Sequence, residues 1–270
     1  MKAVRAFAPA TVANVSCGFD ILGFAIDAMG DVVEVRGRKE PGLQVVSITG
    51  DGGRLPFEVE KNTCAVAIQA MLDELGEEVG MEIYLEKGLP LGSGMGSSAA
   101  SAVAALVAAN RFLGEPFEKK HLLPFAMAAE KVACGAGHAD NVAPSLLGGF
   151  VLIRDYHPLD IIKLPVPKGL NCTLLHPHIE LKTSDSRSVL RDNVSLKHST
   201  IQSGNVAGLV AGLFQEDFEL ISRSLRDVIA EPYRATLIPG FYEVKEAVKA
   251  AGALGMGISG SGPTLFALSE

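Results

Sequence analysis

The chain has 270 residues, 48% of them apolar, 20% charged and none Trp, which is too long and too apolar for a disordered segment and enough for one large domain or two modest ones. Its formal net charge is −7, from 24 Lys+Arg against 31 Asp+Glu. A negative field repels phosphate backbones and no dense Lys/Arg run overrides it locally, so nucleic acid is not an expected partner.

Cys17, Cys64, Cys134 and Cys172 lie far apart with no C-x-x-C pair, which leaves a zinc site or redox motif without support. Their spacing leaves a disulfide open and favours free, packed thiols. Met1-Lys-Ala-Val-Arg5 is not followed by a signal-type apolar core, and the Ala-rich stretch Ala99 to Ala109 is well short of the ~20 residues that span a bilayer. A soluble, cytoplasmic protein without a membrane partner is expected.

In chain order, Lys2 to Phe7 alternates and predicts a strand. Asp31 to Arg38 and Leu43 to Thr49 are β-branched, with Pro41-Gly42 between them, and together predict a hairpin. Asn62-Thr63 reads as a helix start, Ala65 to Leu75 follows helical spacing, and Gly76 stops it. Met81 to Glu86 alternates as a strand. A helix from about Ser98 to Leu113 is apolar almost all round and therefore central, and Leu122 to Cys134 predicts another. Leu146 to Ile153 is a strand candidate, and the Pro-rich stretch Pro158 to Lys168 marks a domain boundary. Beyond it, Asn171 to His176 predicts a strand. Asn205 to Phe214, Phe218 to Val228 and Gly240 to Ala251 predict helices, Gly252 to Gly262 a second Gly-rich loop, and Thr264 to Leu268 a strand. The whole predicts an α+β protein of two domains, residues 1–157 and 158–270.

The strongest local feature is Leu91-Gly92-Ser93-Gly94-Met95-Gly96-Ser97-Ser98-Ala99-Ala100-Ser101, set between a strand and a helix. Glycines at alternate positions let the main chain take positive φ and approach a ligand closely. The helix that follows offers unsatisfied N–H donors and a partial positive charge, so the loop predicts anion binding. The Ser97 and Ser98 hydroxyls add donors or a metal ligand. It lacks the Gly-Lys-Ser/Thr ending of a Walker loop and the placement of a dinucleotide fingerprint.

Pro90 to Ala100 resembles the central ATP motif of the GHMP kinases. Pro9-Ala-Thr-Val-Ala-Asn14-Val-Ser-Cys-Gly18-Phe19-Asp20-Ile-Leu-Gly23 resembles their first motif, and Gly257-Ile-Ser-Gly260-Ser-Gly262-Pro-Thr-Leu-Phe266 the third. Three motifs in order cover nearly the whole chain. Mevalonate-type members carry Lys where this chain has Thr11, whereas Asn14 with Gly18-Phe19-Asp20, Gly137 to Pro144, and Glu231-Pro232-Tyr233-Arg234 resemble the homoserine-kinase branch. The resemblance implies a two-domain fold, an N-terminal α/β domain with the ATP loop and a C-terminal ferredoxin-like α/β sandwich. Members continue some tens of residues past the third motif. The resemblance therefore implies a C-terminal domain shortened by its last strand and helix, or a sheet completed differently, and an open edge there would favour a homodimer.

The implied activity is ATP-dependent phosphorylation of the side-chain hydroxyl of L-homoserine, with Mg²⁺ at the phosphates. The alternatives are another GHMP small-molecule kinase, of mevalonate or sugar type, and a catalytically silent ligand-binding relative. Homoserine is a zwitterion, so its site needs an anion for the ammonium, cations for the carboxylate and groups for the hydroxyl. The resemblance places Asn14 and Asp20 at the ammonium, Arg187 and Arg234 as a carboxylate clamp, and Thr183 as a hydroxyl contact. It nominates Ser98 and Glu130 for Mg²⁺, Pro90 to Ala100 for the phosphates and Asn62 for the adenine, the last compatible with a helix cap. The mevalonate-type branch has an Asp where this chain has Asn141, beside Asp140. Asn accepts no proton near neutral pH, so Asn141 and His138 are expected to orient the hydroxyl without a dedicated side-chain base.

Overall fold

The computed structural model describes residues 2–135 and 137–270, apart from the Cys134 side chain. Two compact units emerge. Unit 1 holds the chain up to Thr11 together with Ala25–Leu91 and Gly96–Gly148, and unit 2 holds Val12–Phe24, Gly92–Met95 and Gly149–Glu270. The division takes more than one cut, because two short early segments group with the later half of the chain.

Unit 1 is built from β1 (Ala3–Ala13), β2 (Leu22–Gly37), β3 (Gly42–Thr49), α1 (Thr63–Leu75), β4 (Gly80–Glu86), α2 (Ser97–Phe112), α3 (Leu123–Cys134) and α4 (Ala139–Leu147), with one end of β1 and of β2 running on into unit 2. The expected hairpin of β2 with β3 does not form. β4 lies between them, antiparallel to β2 through Val32↔Glu86 to Gly37↔Met81 and parallel to β3 through Gly42↔Gly80 to Thr49↔Glu86. Parallel neighbours need a long crossover, and the α1 segment between β3 and β4 supplies it. β-branched runs identify strands but not their partners.

Asn62 caps α1, its side chain accepting from Cys64 N at 3.0 Å, and Gly76 closes the helix at φ 66°. α1 packs on α2 and α3, and α2 also packs on α3 and α4. Ala99, Ala100, Ala102, Ala104, Ala105, Ala108 and Ala109 are fully buried, because methyl-sized side chains let three helices approach one central helix. α4 corrects the reading of Leu146 and Leu147 as strand. A short apolar run does not distinguish the two states, and here the strand starts only after Gly148 and Gly149, at φ 75° and 66°.

Unit 2 contains β5 (Phe150–Tyr156), β6 (Leu159–Leu164), β7 (Asn171–Leu175), α5 (Thr183–Ser188), α6 (Leu196–Gln215), α7 (Phe218–Ser224), α8 (Glu231–Arg234), α9 (Phe241–Ala250), β8 (Gly255–Ile258) and β9 (Leu265–Ser269). β5 pairs antiparallel with Leu22–Phe24 and with β6, so the stretch expected as a boundary carries a strand of a hairpin. β7, β9 and β8 form an antiparallel sheet in that order. The second Gly-rich segment is correspondingly not all loop, since its 255–258 portion is β8. Ile238, Phe241, Met256, Ile258 and Leu265 form a buried cluster against which Val244 and Val248 of α9 pack. Phe24 lies 4.5 Å from Phe150 and 5.9 Å from Phe266 between ring centroids.

Cys17, Cys64 and Cys172 are free thiols, and burial pushes each up to about 12, so they stay protonated at neutral pH. Among the described residues no helix is long and apolar enough to cross a membrane.

Candidate active site

The glycine-rich segment takes the conformation its sequence predicts. Gly92, Gly94 and Gly96 have φ of 63°, 77° and 66°, the left-handed region that favours glycine. A Cβ on Gly96 would stand 2.1 Å from Thr11 Oγ1 and 2.8 Å from Asn141 Oδ1. Gly96 is the N-cap of α2 and has no side chain to cap the helix start, an arrangement that suits an outside acceptor for its first-turn N–H groups. Ser97 and Ser98 are half-buried there, while Ser93, Met95, Ala99 and Ala100 are buried. Pro90 is exposed and Leu91 half-buried.

In unit 2 the loop tip is tied down. Ser259 Oγ donates to the Gly94 carbonyl at 2.8 Å, and Thr264 N donates to the Ser93 carbonyl at 3.2 Å. The third glycine motif therefore buttresses the second. The Gly94 position is tight for the same reason: a Cβ would meet the carbonyl oxygens of Ser259 and Gly262 at 2.5 and 2.6 Å.

Also in unit 1, α4 starts at His138, its N-cap, and brings Asn141 to Thr11, whose Oγ1 donates to Asn141 Oδ1 at 2.7 Å. Glu130 of α3 and Asp140 of α4 are only 6% and 4% exposed. A carboxylate buried that far is held only where charge or hydrogen bonds compensate it. Asn62 is 3% exposed and spends both ends of its amide locally, accepting from Cys64 N and donating to the Pro56 carbonyl at 2.8 Å. Asn62→Ser keeps a capping oxygen and removes the amide. It is expected to shift the denaturation midpoint by less than about 0.5 kcal/mol of stability. The KM for ATP measured alongside then reports any contact of Asn62 with the base.

The set expected at the zwitterion comes together within unit 2. Asn14, Val15 and Ser16 form a left-handed turn, φ 70°, 42° and 59°, closed by Gly18 N on the Asn14 carbonyl at 2.8 Å. Such a turn costs non-glycine residues about 1–2 kcal/mol each. Asn14 Nδ2 donates to the Gly260 carbonyl at 2.8 Å and Asn14 Oδ1 accepts from Asp20 N at 2.9 Å. Arg234, 4% exposed, donates to that same Gly260 carbonyl at 2.9 Å and to the Ser186 carbonyl at 3.2 Å.

Arg187 meets Asp20 through two parallel bonds of 3.1 and 3.0 Å, so the predicted cation and anion are paired with each other. Both guanidiniums lie over Phe19, Arg234 at 5.1 Å and Arg187 at 5.6 Å from its centroid. Phe19, part of the Gly18-Phe19-Asp20 motif, thus stands beneath both guanidiniums. Thr183 Oγ1 lies 3.4 Å from Ser261 Oγ. A cavity of about 10 Å³, room for one water, is lined by Asn14, Ser16, Glu231 and Arg234 among others. Burial pushes the Glu231 carboxyl up, and its ion pair with Lys245 opposes that shift.

Two family models match in chain order: the GHMP kinase N-terminal domain at residues 62–149 and the GHMP kinase C-terminal domain at residues 209–270. The chain belongs to the GHMP kinases. Among its relatives, the homoserine kinase of Chlorobium phaeovibrioides is 56% identical over 280 aligned residues, covering 100% of this chain and 88% of that protein. The homoserine kinase of Chlorobaculum tepidum is 53% identical, with 100% and 86% covered. The crystal structure of homoserine kinase from Cytophaga hutchinsonii superposes with a TM-score of 0.97 at 57% identity, over 100% of this chain and 85% of that one. Leishmania major mevalonate kinase in complex with R-mevalonate, at 16% identity and a TM-score of 0.71 over 98% and 86%, shares the fold.

Proposed function

We propose that this protein is a homoserine kinase, transferring the terminal phosphoryl group of ATP to the side-chain hydroxyl of L-homoserine, a step toward threonine. The observation that carries the reading is full-length identity of 56% to a homoserine kinase, joined to an acidic and two guanidinium side chains gathered around Phe19 in unit 2. Two guanidiniums over one aromatic ring, with a carboxylate paired to one of them, suit an amino acid's carboxylate and ammonium better than they suit an uncharged sugar.

The residues that would hold Mg²⁺ are Ser98 and Glu130. A hydroxyl and a carboxylate are hard oxygen donors, few in number, as the ion prefers when phosphates supply other ligands, and the uncapped start of α2 beside Ser98 fits an anionic partner. When bound, the ion neutralises charge developing on the phosphate oxygens. The backbone N–H groups at the start of α2 hold the phosphates. Arg234 and Arg187 take the carboxylate, Asp20 and Asn14 the ammonium, and Thr183 a further polar contact. Asn141, fixed by Thr11, orients the acceptor hydroxyl with His138, and no carboxylate has to take its proton before transfer.

Incubation with L-homoserine and MgATP is expected to give O-phosphohomoserine and ADP. Turnover of only a different alcohol across a panel of hydroxyl substrates would assign another GHMP activity, and tight ATP binding without turnover a silent relative. Asn141→Ala is expected to lower kcat about a hundredfold, the scale of losing one oriented polar group. The pH–rate profile should keep its wild-type shape in that variant. A loss confined to Asp140→Asn, with Asn141→Ala near wild type, would make Asp140 the base.

A further inference from the structure

A buried ion pair lies outside every role assigned so far. The side chains of Lys87 and Asp31 are 1% and 0% exposed and joined through Nζ and Oδ2. Burying two charges is unfavourable, and apolar residues of similar size often fold at least as well, so stability is a weak account of the pair. Among the described residues, its other side-chain bonds go to the two ends of the glycine-rich segment. Asp31 Oδ1 accepts from Gly88 N at 3.0 Å and Leu89 N at 3.2 Å, where the chain leaves β4. Lys87 Nζ donates to the Ser97 carbonyl and to Ser101 Oγ, both at 2.9 Å, in the first turns of α2. Ser101 Oγ closes the network by donating to Asp31 Oδ2 at 2.7 Å.

The Ser97 bond has a specific consequence. The carbonyl of Ser97 and the N–H of Ser98 belong to one planar peptide unit and point in opposite directions. A cation that fixes that oxygen therefore aims the Ser98 N–H away from the Lys87–Asp31 pair. The carboxylate fixes the two peptides that enter the segment by the other end, holding the N–H groups of Gly88 and Leu89. The pair is neutral as a whole, so it sets direction and leaves the attraction for an anion to the helix start.

We infer that Asp31 and Lys87 are positioning residues for the nucleotide: they hold both ends of residues 88–97 in the phosphate-binding conformation before ATP arrives. The inference rests on reading that segment as the ATP cradle. Preorganisation of this kind raises affinity by removing the ordering a mobile loop would undergo on binding.

The test is the double variant Asp31→Asn/Lys87→Met. Asn Oδ1 still accepts from Gly88 and Leu89, and no uncompensated ion is left in the interior, as either change alone would leave. Calorimetric titration with MgATP should show the Kd about tenfold weaker, with the KM for ATP rising in step. The homoserine KM should stay within about twofold and the thermal midpoint near wild type. A folded double variant that binds ATP as tightly as wild type overturns the inference. If the double variant does not fold, Ser101→Ala, which removes one link of the network and no charge, should weaken ATP about threefold. An unchanged Kd there has the same overturning force. A wild-type protein that fails to bind ATP would instead sink the cradle reading itself.

Discussion

Gly96→Ala is expected to lower kcat/KM for ATP by at least about a hundredfold, the scale set by an ångström of misplacement in a reacting constellation. The added methyl would lie 2.1 Å from Thr11 Oγ1 and 2.8 Å from Asn141 Oδ1, and neither can retreat easily because they are bonded to each other at 2.7 Å. The backbone must move instead, carrying the first turn of α2 with it. φ at this residue is 66°, so part of any effect is the ordinary cost of a left-handed alanine, about 1–2 kcal/mol. Gly76→Ala separates the two contributions. Gly76 has the same φ of 66° with nothing within 4 Å of an added Cβ, and it should lose stability without losing activity. Equal kinetic damage in both variants would show that the Gly96 contact is irrelevant to catalysis.

Arg234→Lys should raise the KM for homoserine about a hundredfold while the KM for ATP stays within about twofold, since a hydrogen bond to a charged group contributes about 1.5–3 kcal/mol and more than one is lost. The guanidinium donates in two directions at once, to Ser186 and Gly260, while stacked over Phe19. An ammonium has no planar fork and cannot serve Ser186 and Gly260 together, at a site only 4% exposed. Arg187→Lys should be milder, about tenfold, because its side chain is 39% exposed and water can replace what it loses. Steady-state kinetics with each substrate varied separately reads both. A KM for homoserine that ignores Arg234→Lys would remove this residue from the amino-acid site.

What the sequence made legible was chemistry carried by neighbours. The run of glycines and serines from 92 to 98 predicted an anion cradle because turn, spacing and helix start are all local, and the cap at Asn62 with its stop at Gly76 was readable for the same reason. Contacts made through space were not. Thr11 reaches Asn141 across 130 positions, and Lys87 reaches Asp31 across 56, and no periodicity records either partnership. The misplaced hairpin has the same origin: β3 follows β2 in the chain, yet β4 takes the place beside it. Within the amino-acid set the pairing of Arg187 with Asp20 was hidden, since charge tells which side chains attract and not which meet.

The left-handed turn at Asn14, Val15 and Ser16 has a bearing on how the molecule reaches its final form. Three residues that prefer other conformations, one of them β-branched, will not adopt this bend in an isolated peptide. Besides local bonds from Gly18 and Asp20, it is held by Gly260, more than two hundred positions downstream, which accepts from Asn14. That half of the catalytic apparatus is consequently a product of completed folding and not a seed for it, and a chain released before its last strands are made would carry the motif without the bend.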